Sequence, residues 1–335
     1  MTLPWAMIRL SALGDALLTT GVLEYWRQTR HMTFTVITKS ALASLFQYHP
    51  AVSQVLPLQA EDLTPARLAM LARSLSTNHA GLIDLHGNLR SRILSASWRG
   101  PVRHYTKFGL ERRLFLLSHG RFFAHRLSSL NVPQRYALAL EDQAPDRTLL
   151  LPRLFLDDME RTRAKETLAG FSRPLVMLHP YATHRNKMWP ESHWHTLIQL
   201  LVAEGVTPVV IGRQSGPLPH FVTDGDFTNQ TSLRETAALL EQADLLVTGD
   251  SGPMHLAGSV GTPVIALFGP TTEAWGFAPA GAQDTVLQLS HLSCRPCSLH
   301  GQRPCPRDVA CMRDITPKTV FNAILSHLSK SGILG

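Results

Sequence analysis

The sequence predicts an α/β protein of two domains, each a parallel sheet flanked by helices. Three observations carry this reading. Short, continuous apolar runs of strand length alternate with longer stretches of helical periodicity, the pattern of parallel strands covered on both faces. Glycine-bearing turns follow several of those runs, around Gly14, Gly87, Gly212 and Gly252. The length of 335 residues, 44% of them hydrophobic, suffices for two cores of ordinary size.

The first domain is read as residues 1–150. The apolar run Trp5 to Leu10 ends at Ser11-Ala12-Leu13-Gly14-Asp15, after which Ala16, Leu17, Leu18, Val22, Leu23 and Trp26 recur at helical spacing. This is strand, glycine turn, helix. Further strands are expected at 34–38, 52–56, 81–85 and 102–105, and helices at 41–48, 65–75, 89–98 and 133–140. The stretch 141–152, with its Asp, Gln and two prolines, reads as a linker. In the second domain, 151–335, strands are expected at 175–178, 207–211 and 285–289, and helices at 191–203 and 317–328. Ser232 and Glu235 form a capping box that opens another helix running to Gln242.

The centre of the second domain is the run from Leu245 to Thr271, one βαβ unit. Asp250-Ser251-Gly252 lies at the carboxyl end of its first strand, and Pro253 fits the first helical position, where a missing N–H costs nothing. The amides of Gly252, Met254 and His255 beside the small Ser251 make an anion site, most naturally for a diphosphate. An ordinary turn with Ser251 as a cap accounts for the same residues. Asp15 likewise reads two ways: as an N-cap, or as a carboxylate at the sheet's mouth, where ligands of open α/β folds bind.

Net charge is +7, unevenly placed. Residues 1–150 carry 17 Lys and Arg against 9 Asp and Glu, and between Arg90 and Arg135 ten basic residues face only Glu111. Such a patch suits a polyanion: a phosphorylated lipid or sugar, an anionic membrane surface, or nucleic acid. Asn88, Arg90, Arg92, Lys107, Arg112 and Arg113 are the candidate contacts. No RNP-like aromatic strand accompanies the patch, which argues against nucleic acid. The turn at Gly14 lacks the G-x-G-x-x-G fingerprint, which argues against a dehydrogenase. No apolar run is long enough to span a bilayer, and Arg9 interrupts the only apolar segment near the start, so a cytoplasmic protein is expected.

The pattern D-S-G-P-M-H-L-A-G-x-x-G-T-P-V-I-A-L-F-G-P-T, residues 250–271, resembles the nucleotide-sugar signature of glycosyltransferase family 9, the ADP-heptose:lipopolysaccharide heptosyltransferases. The S-x-x-G-D turn ending at Asp15 and the loop His179 to Pro190, ending K-x-W-P, are similar to that family in the same order. The resemblance implies the GT-B fold, two Rossmann-like domains facing each other across a cleft, and inverting transfer of heptose from ADP-heptose to a lipopolysaccharide core of the lipid A–Kdo type, with transfer to a protein serine or another glycan as the alternative. It implies that Asp15 is the catalytic base and that Lys187 meets the donor diphosphate. By position it places Ser11, Thr183, Gln230, Thr231, Asp250, Ser251, Gly252, Met254 and His255 on the donor. No cofactor or catalytic metal is implied, and the enzyme is expected at the inner face of the inner membrane. This loop departs from the family at Tyr181, where a glycine commonly follows His-Pro.

Cys294, Cys297, Cys305 and Cys311 fall within eighteen residues in a Pro- and Arg-rich loop. In a reducing compartment, four thiols so close could hold structural Zn or Fe, with His291 and His300 as substitute ligands, or remain free. Related Cys-rich segments occur in part of the family, including an iron-binding subgroup.

Overall fold

A computed structural model describes residues 3–118, 120, 122–215, 221, 223 and 225–333. The chain divides into two units: residues 1–107 with 130–155, and residues 108–129 with 156–335.

The first unit runs β1 Trp5–Ile8, α1 Leu13–Arg30, β2 Phe34–Lys39, α2 Ser40–Ala43, β3 Val52–Leu58, α3 Pro65–Leu75, β4 Leu82–Asp84, α4 Leu89–Ser97 and β5 Val102–His104. Its five strands are all parallel, in the order β3-β2-β1-β4-β5. The central strand β1 is nearly all core: Ala6, Met7 and Ile8 are fully buried. Around them Leu82, Leu94, Leu68 and Trp98 close one layer.

After β5 the chain leaves this unit. Two helices, α5 Gly109–Leu117 and α6 Ala124–Ser128, pack with the second unit before α7 Val132–Ala137 returns to α1. Sequence periodicity predicts neither α5 nor α6. Their apolar residues complete someone else's core: Phe108, Phe115 and Leu127 close on Trp275 of the second unit. The stretch 141–152 is no loose linker either. Glu141 accepts from Trp26 Nε1 at 3.0 Å and pairs with Arg30 at 2.8 Å, and Leu150 is fully buried. Gly21 makes that contact close, since a Cβ there would fall on the carbonyl oxygens of Leu150 and Leu151.

The second unit continues α8 Asp158–Leu168, β6 Leu175–His179, α9 Glu191–Ala203, β7 Thr207–Val210, β8 Gly225–Asp226, α10 Leu233–Glu241, β9 Leu245–Gly249, α11 Gly252–Ser259, β10 Val264–Phe268, β11 Thr285–Gln288, α12 Ala310–Arg313 and α13 Pro317–Lys330. Its parallel strands lie in the order β11-β10-β9-β6-β7-β8. Read from the other edge this is the 3-2-1-4-5-6 order of doubly wound nucleotide-binding sheets. Val320, Ile324 and Leu328 of α13 lie in the same core as Trp194, Leu197 and Leu201 of α9. Two parallel-sheet α/β units are therefore what the alternation of runs predicts.

Candidate active site

In an open parallel sheet the order reverses once, and ligands bind beyond the strand ends at that switch point. It falls between β1 and β4 in the first unit and between β6 and β9 in the second. Asp15 lies in the helix that follows β1, and Asp250 and Ser251 follow β9 directly.

In the first unit, the turn after β1 carries Ser11 and delivers Asp15 into the first turn of α1. Ser11 itself sits in the bend, on a cis peptide bond to Ala12. Asp15 Oδ1 accepts from the Tyr136 hydroxyl at 2.8 Å and pairs with Arg9 at 2.5 Å, while Oδ2 accepts a long bond, 3.3 Å, from the Ala12 amide. The N-cap reading of Asp15 is thus incorrect: the cap position is Ala12, and Asp15 reaches back to it from the third helical residue. Arg9 is 5% exposed and also donates to the Leu85 carbonyl. Burial opposes its charge, but Tyr136, Asp15 and Tyr105 more than restore it, holding the guanidinium above its ordinary range. Burial raises the Tyr136 hydroxyl well above the usual phenol value, so it stays a donor.

Beyond β4, Asp84 is buried, and its Oδ1 accepts from the amides of His86 at 2.8 Å and Gly87 at 2.9 Å. Gly87 adopts φ +63, which the tight turn requires. Lys107 Nζ donates to the His86 carbonyl at 3.1 Å. Burial first, then Arg9 and Lys107, push His86 down to about 4, so its ring is neutral. Asn88 caps α4 by accepting from the Ser91 amide at 3.0 Å, a structural duty. Arg90 and Arg92 are exposed on α4. Arg112 and Arg113 belong to the second unit: Arg112 donates to the Trp275 carbonyl at 3.0 Å and lies over the Trp275 and Phe277 rings, and Arg113 is exposed on α5.

In the second unit, Lys187 ends a short 3₁₀ turn at 185–187, and its ammonium lies 2.6 Å from Asp250 Oδ2 and 3.0 Å from the Asp250 carbonyl. Thr271 donates to the same carboxylate oxygen at 2.7 Å. Both partners of the Lys187–Asp250 pair are largely shielded, with side chains 16% and 14% exposed. Gly301, at φ +84, presses on the lysine stem, since a Cβ would lie 2.9 Å from Lys187 Cγ.

Ser251 precedes α11 but does not cap it. Its hydroxyl instead lies 3.1 Å from Thr248 Oγ1 and 3.4 Å from His179 Nδ1, and Thr248 is 3.0 Å from that same nitrogen. The amides of Gly252 and Met254 therefore open α11 with no serine cap, as an anion site requires. Met254 is fully buried, and its side chain belongs to the core. His255 is buried with its ring 6.4 Å from Phe277. Burial holds His179 down to about 4. Tyr181 turns inward, bonding Thr228 at 2.7 Å, in space that Gly212 leaves open. Thr183 is exposed, Gln230 donates to the Asp226 carbonyl at 2.7 Å, and Thr231 bonds Thr236 at 2.8 Å.

The cysteine segment packs behind this site. Arg295 donates to the carbonyls of Gly269 and Thr271, the Cys297 amide donates to Pro270 at 3.1 Å, and Asn186 donates to the Arg303 carbonyl. Four thiols suit Zn or Fe in chemistry. None of the four is in a disulfide, and among the described residues no three His, Cys, Asp or Glu side chains gather into a metal-binding group. Burial, with the neighbouring thiols, raises Cys297 and pushes Cys311 up to about 11. His291 and His300 complete no such group, and both are exposed.

Sequence reasoning gave no site role to Arg9, Thr248, Thr271 and Tyr136, and took Asp84 and His86 only as polar groups at a strand end. A charged residue inside an apolar strand was the available signal for Arg9. Tyr136 lies 121 residues from its partner and leaves no local trace.

Comparison with known proteins places the chain in a family. The family model of glycosyltransferase family 9 (heptosyltransferase) matches residues 68–305. Lipooligosaccharide heptosyltransferase 2 of Haemophilus influenzae is 28% identical over 243 residues, covering 65% of this chain and 68% of that protein. Among solved structures, a family 9 glycosyl transferase from Veillonella parvula superposes with a TM-score of 0.78 at 21% identity, covering 98% of both chains. The E. coli ADP-heptose LPS heptosyltransferase II gives 0.74 at 20% identity over 98% of this chain and 99% of that one. With the family model covering more than half its length, this chain belongs to glycosyltransferase family 9 and is a glycosyltransferase.

Proposed function

We propose that this enzyme moves heptose from ADP-heptose to an inner-core acceptor of the lipid A–Kdo type, with inversion and without a cofactor or catalytic metal. The reading rests above all on the Lys187–Asp250–Thr271 cluster beside the start of α11, in a chain whose relatives are named for heptosyl transfer. The diphosphate lies on the amides of Gly252 and Met254, with the Ser251 hydroxyl and the Lys187 ammonium completing its shell. Asp250 holds Lys187 in place and orients donor hydroxyls, and Gln230 and Thr231 lie towards the nucleoside. Basic residues, Arg90, Arg92 and Lys107 among them, meet the anionic acceptor. An acceptor hydroxyl attacks the anomeric carbon, its proton passes to Asp15, and the bond to the diphosphate oxygen breaks with its electron pair leaving on ADP. Arg9 and Tyr136 fix the Asp15 carboxylate for that transfer. The reaction belongs at the cytoplasmic face of the inner membrane, and no helix among the described residues is long and apolar enough to cross it.

The test pairs transfer assays with thermal shifts. ADP stabilises the protein more than UDP or GDP. Asp15→Ala keeps that stabilisation and loses about 10²–10⁴ in rate, Lys187→Gln loses about 10²–10³, and activity survives chelation by EDTA. A folded Asp15→Ala protein working at the wild-type rate refutes the mechanism, and stabilisation by UDP over ADP refutes the donor.

A further inference from the structure

The hydroxyl of Ser251 belongs to a group of three side chains whose hydrogens can be counted. His179, at the end of β6, and Thr248, near the end of β9, are register partners on adjacent parallel strands, so their side chains leave the same face of the sheet. Both are buried, at 4% and 0% exposure, whereas Ser251, just before α11, is partly exposed. Thr248 Oγ1 lies 3.0 Å from His179 Nδ1 and 3.1 Å from Ser251 Oγ, and it donates to the Gly249 carbonyl at 3.2 Å. Ser251 Oγ is 3.4 Å from the same ring nitrogen.

The Gly249 carbonyl can only accept, and it takes the single hydrogen of Thr248. Thr248 Oγ1 is then an acceptor towards its other neighbours. Burial holds His179 down to about 4, so the ring is neutral and has one hydrogen to place, on Nδ1 or on Nε2. Among the described residues every hydrogen bond of the ring runs through Nδ1. Nε2 instead packs close to Gly212, where an added Cβ would lie 3.0 Å away. A hydrogen on Nδ1 is satisfied by Thr248, whereas one on Nε2 would have no protein acceptor among the described residues, so the hydrogen belongs on Nδ1. The bonds then run one way, from His179 through Thr248 to the backbone. The hydrogen of Ser251 is left without a fixed acceptor. It can rest on Thr248, or turn to a charged oxygen, which is the stronger partner.

We propose that His179 and Thr248 are positioning residues for the diphosphate: they keep the Ser251 hydroxyl as a hydrogen donor towards the phosphate oxygens held by the α11 amides. Both act through Ser251. The inference rests on the proposed ADP-heptose site and adds a preference to it. A hydroxyl that accepts from His179 and can give only its own hydrogen selects an unprotonated phosphate oxygen over a ligand group that must itself donate.

The experiment uses the full chain and two readouts. Calorimetric titration with ADP compares wild type with Ser251→Ala, Thr248→Val, Thr248→Ser and the double variant Ser251→Ala/Thr248→Val. Ser251→Ala weakens ADP binding about tenfold or more, as the loss of a hydrogen bond to a charged acceptor requires. Thr248→Val, which keeps the side chain's shape, weakens it about fivefold, Thr248→Ser restores it, and the double variant binds no worse than Ser251→Ala. Losses that multiply in the double variant give Thr248 an effect independent of Ser251 and overturn the inference. The second readout needs no change at Thr248. Nitrogen-15 NMR of histidine-labelled protein, with His179→Asn identifying the resonance, finds the His179 hydrogen on Nδ1 at neutral pH. A hydrogen on Nε2 overturns the positioning role even where ADP binds as expected, and leaves the proposed site standing. A wild-type protein that does not bind ADP removes the site itself, and the positioning role with it.

Discussion

Tyr136→Phe isolates the group that fixes Asp15. The hydroxyl is buried and donates to Asp15 Oδ1 at 2.8 Å, on the same oxygen that Arg9 contacts at 2.5 Å. Phenylalanine keeps the edge-on ring contact with Tyr105, at 4.9 Å between centroids, and the Arg9 guanidinium over the ring at 5.4 Å. What is lost is one hydrogen bond to a charged acceptor, worth about 1.5–3 kcal/mol. For a unit of this size a loss near 2 kcal/mol lowers the thermal midpoint by about 6–10 °C. The carboxylate keeps Arg9 and the Ala12 amide but loses the hydroxyl's constraint on its rotation, so kcat falls by roughly tenfold with little change in the KM for donor. Arg9→Met provides the comparison. It breaks a largely buried ion pair and strands the Leu85 carbonyl, costing about 3–5 kcal/mol. Differential scanning fluorimetry and initial rates with ADP-heptose measure all of this. Wild-type midpoint and kcat in Tyr136→Phe would show that Asp15 is held by other contacts, and the argument for Tyr136 as its positioning residue would end.

Lys187→Arg keeps the positive charge but not the shape. Gly301 and Gly249 run so close to the lysine that an added Cβ would lie 2.9 Å from its stem and 3.1 Å from its carbonyl oxygen. The wider guanidinium therefore loses most transfer activity in a steady-state assay, and full activity would deny that the site is built around an ammonium. Gly21→Ala gains about 1 kcal/mol of helix propensity, yet a Cβ meets two backbone carbonyls that cannot swing aside. The net result is destabilisation of about 1–3 kcal/mol in urea titration, and a stabilised variant would disprove the close contact. Buried His179, held down to about 4, binds its proton more weakly folded than unfolded. Stability is thus full above pH 6.5 and declines as pH falls towards 4, with this residue contributing a loss of up to about 3 kcal/mol; urea midpoints that do not move between pH 7 and 4.5 would contradict it. Cys311, 6% exposed and pushed up to about 11, reacts last of the four thiols with Ellman's reagent, and labelling at Cys311 ahead of Cys294 or Cys305 would contradict its burial.

Much of the fold was legible because parallel strands and their glycine turns are local signals. Leu245–Gly249, Val264–Phe268 and the capping box at Ser232 stand where periodicity and spacing put them. Residues 108–129 were illegible as part of the second unit because nothing local marks an excursion. Phe108, Phe115 and Leu127 are apolar whichever core they join, and only Trp275, far along the chain, decides. The same holds for 141–152, whose composition reads as a linker while Gly21, in the middle of a helix, supplies the groove that packs it. At the site, single residues such as Asp15 and Lys187 could be named from their motifs, but their partners could not. Arg9 and Tyr136 meet Asp15 only after folding, and the cysteine spacing says nothing of whether four thiols converge.

The two switch points are built alike and differ in one respect that bears on mechanism. Each gives an aspartate a cation: Arg9 for Asp15 in the first turn of α1, Lys187 for Asp250 just after β9. Arg9 is 5% exposed, planar, and committed at once to Asp15 and to the Leu85 carbonyl, so it cannot follow a ligand. A carboxylate oriented by such a partner is suited to receive a proton in one geometry. Lys187 is a point charge on a flexible stem with three N–H donors, two of them directed at Asp250. It can share its charge with an arriving phosphate while keeping the aspartate. If Asp15 takes the proton and Lys187 meets the leaving group, as proposed, a fixed guanidinium and a sharable ammonium match the two demands of a displacement: an oriented base, and a charge that follows the departing diphosphate.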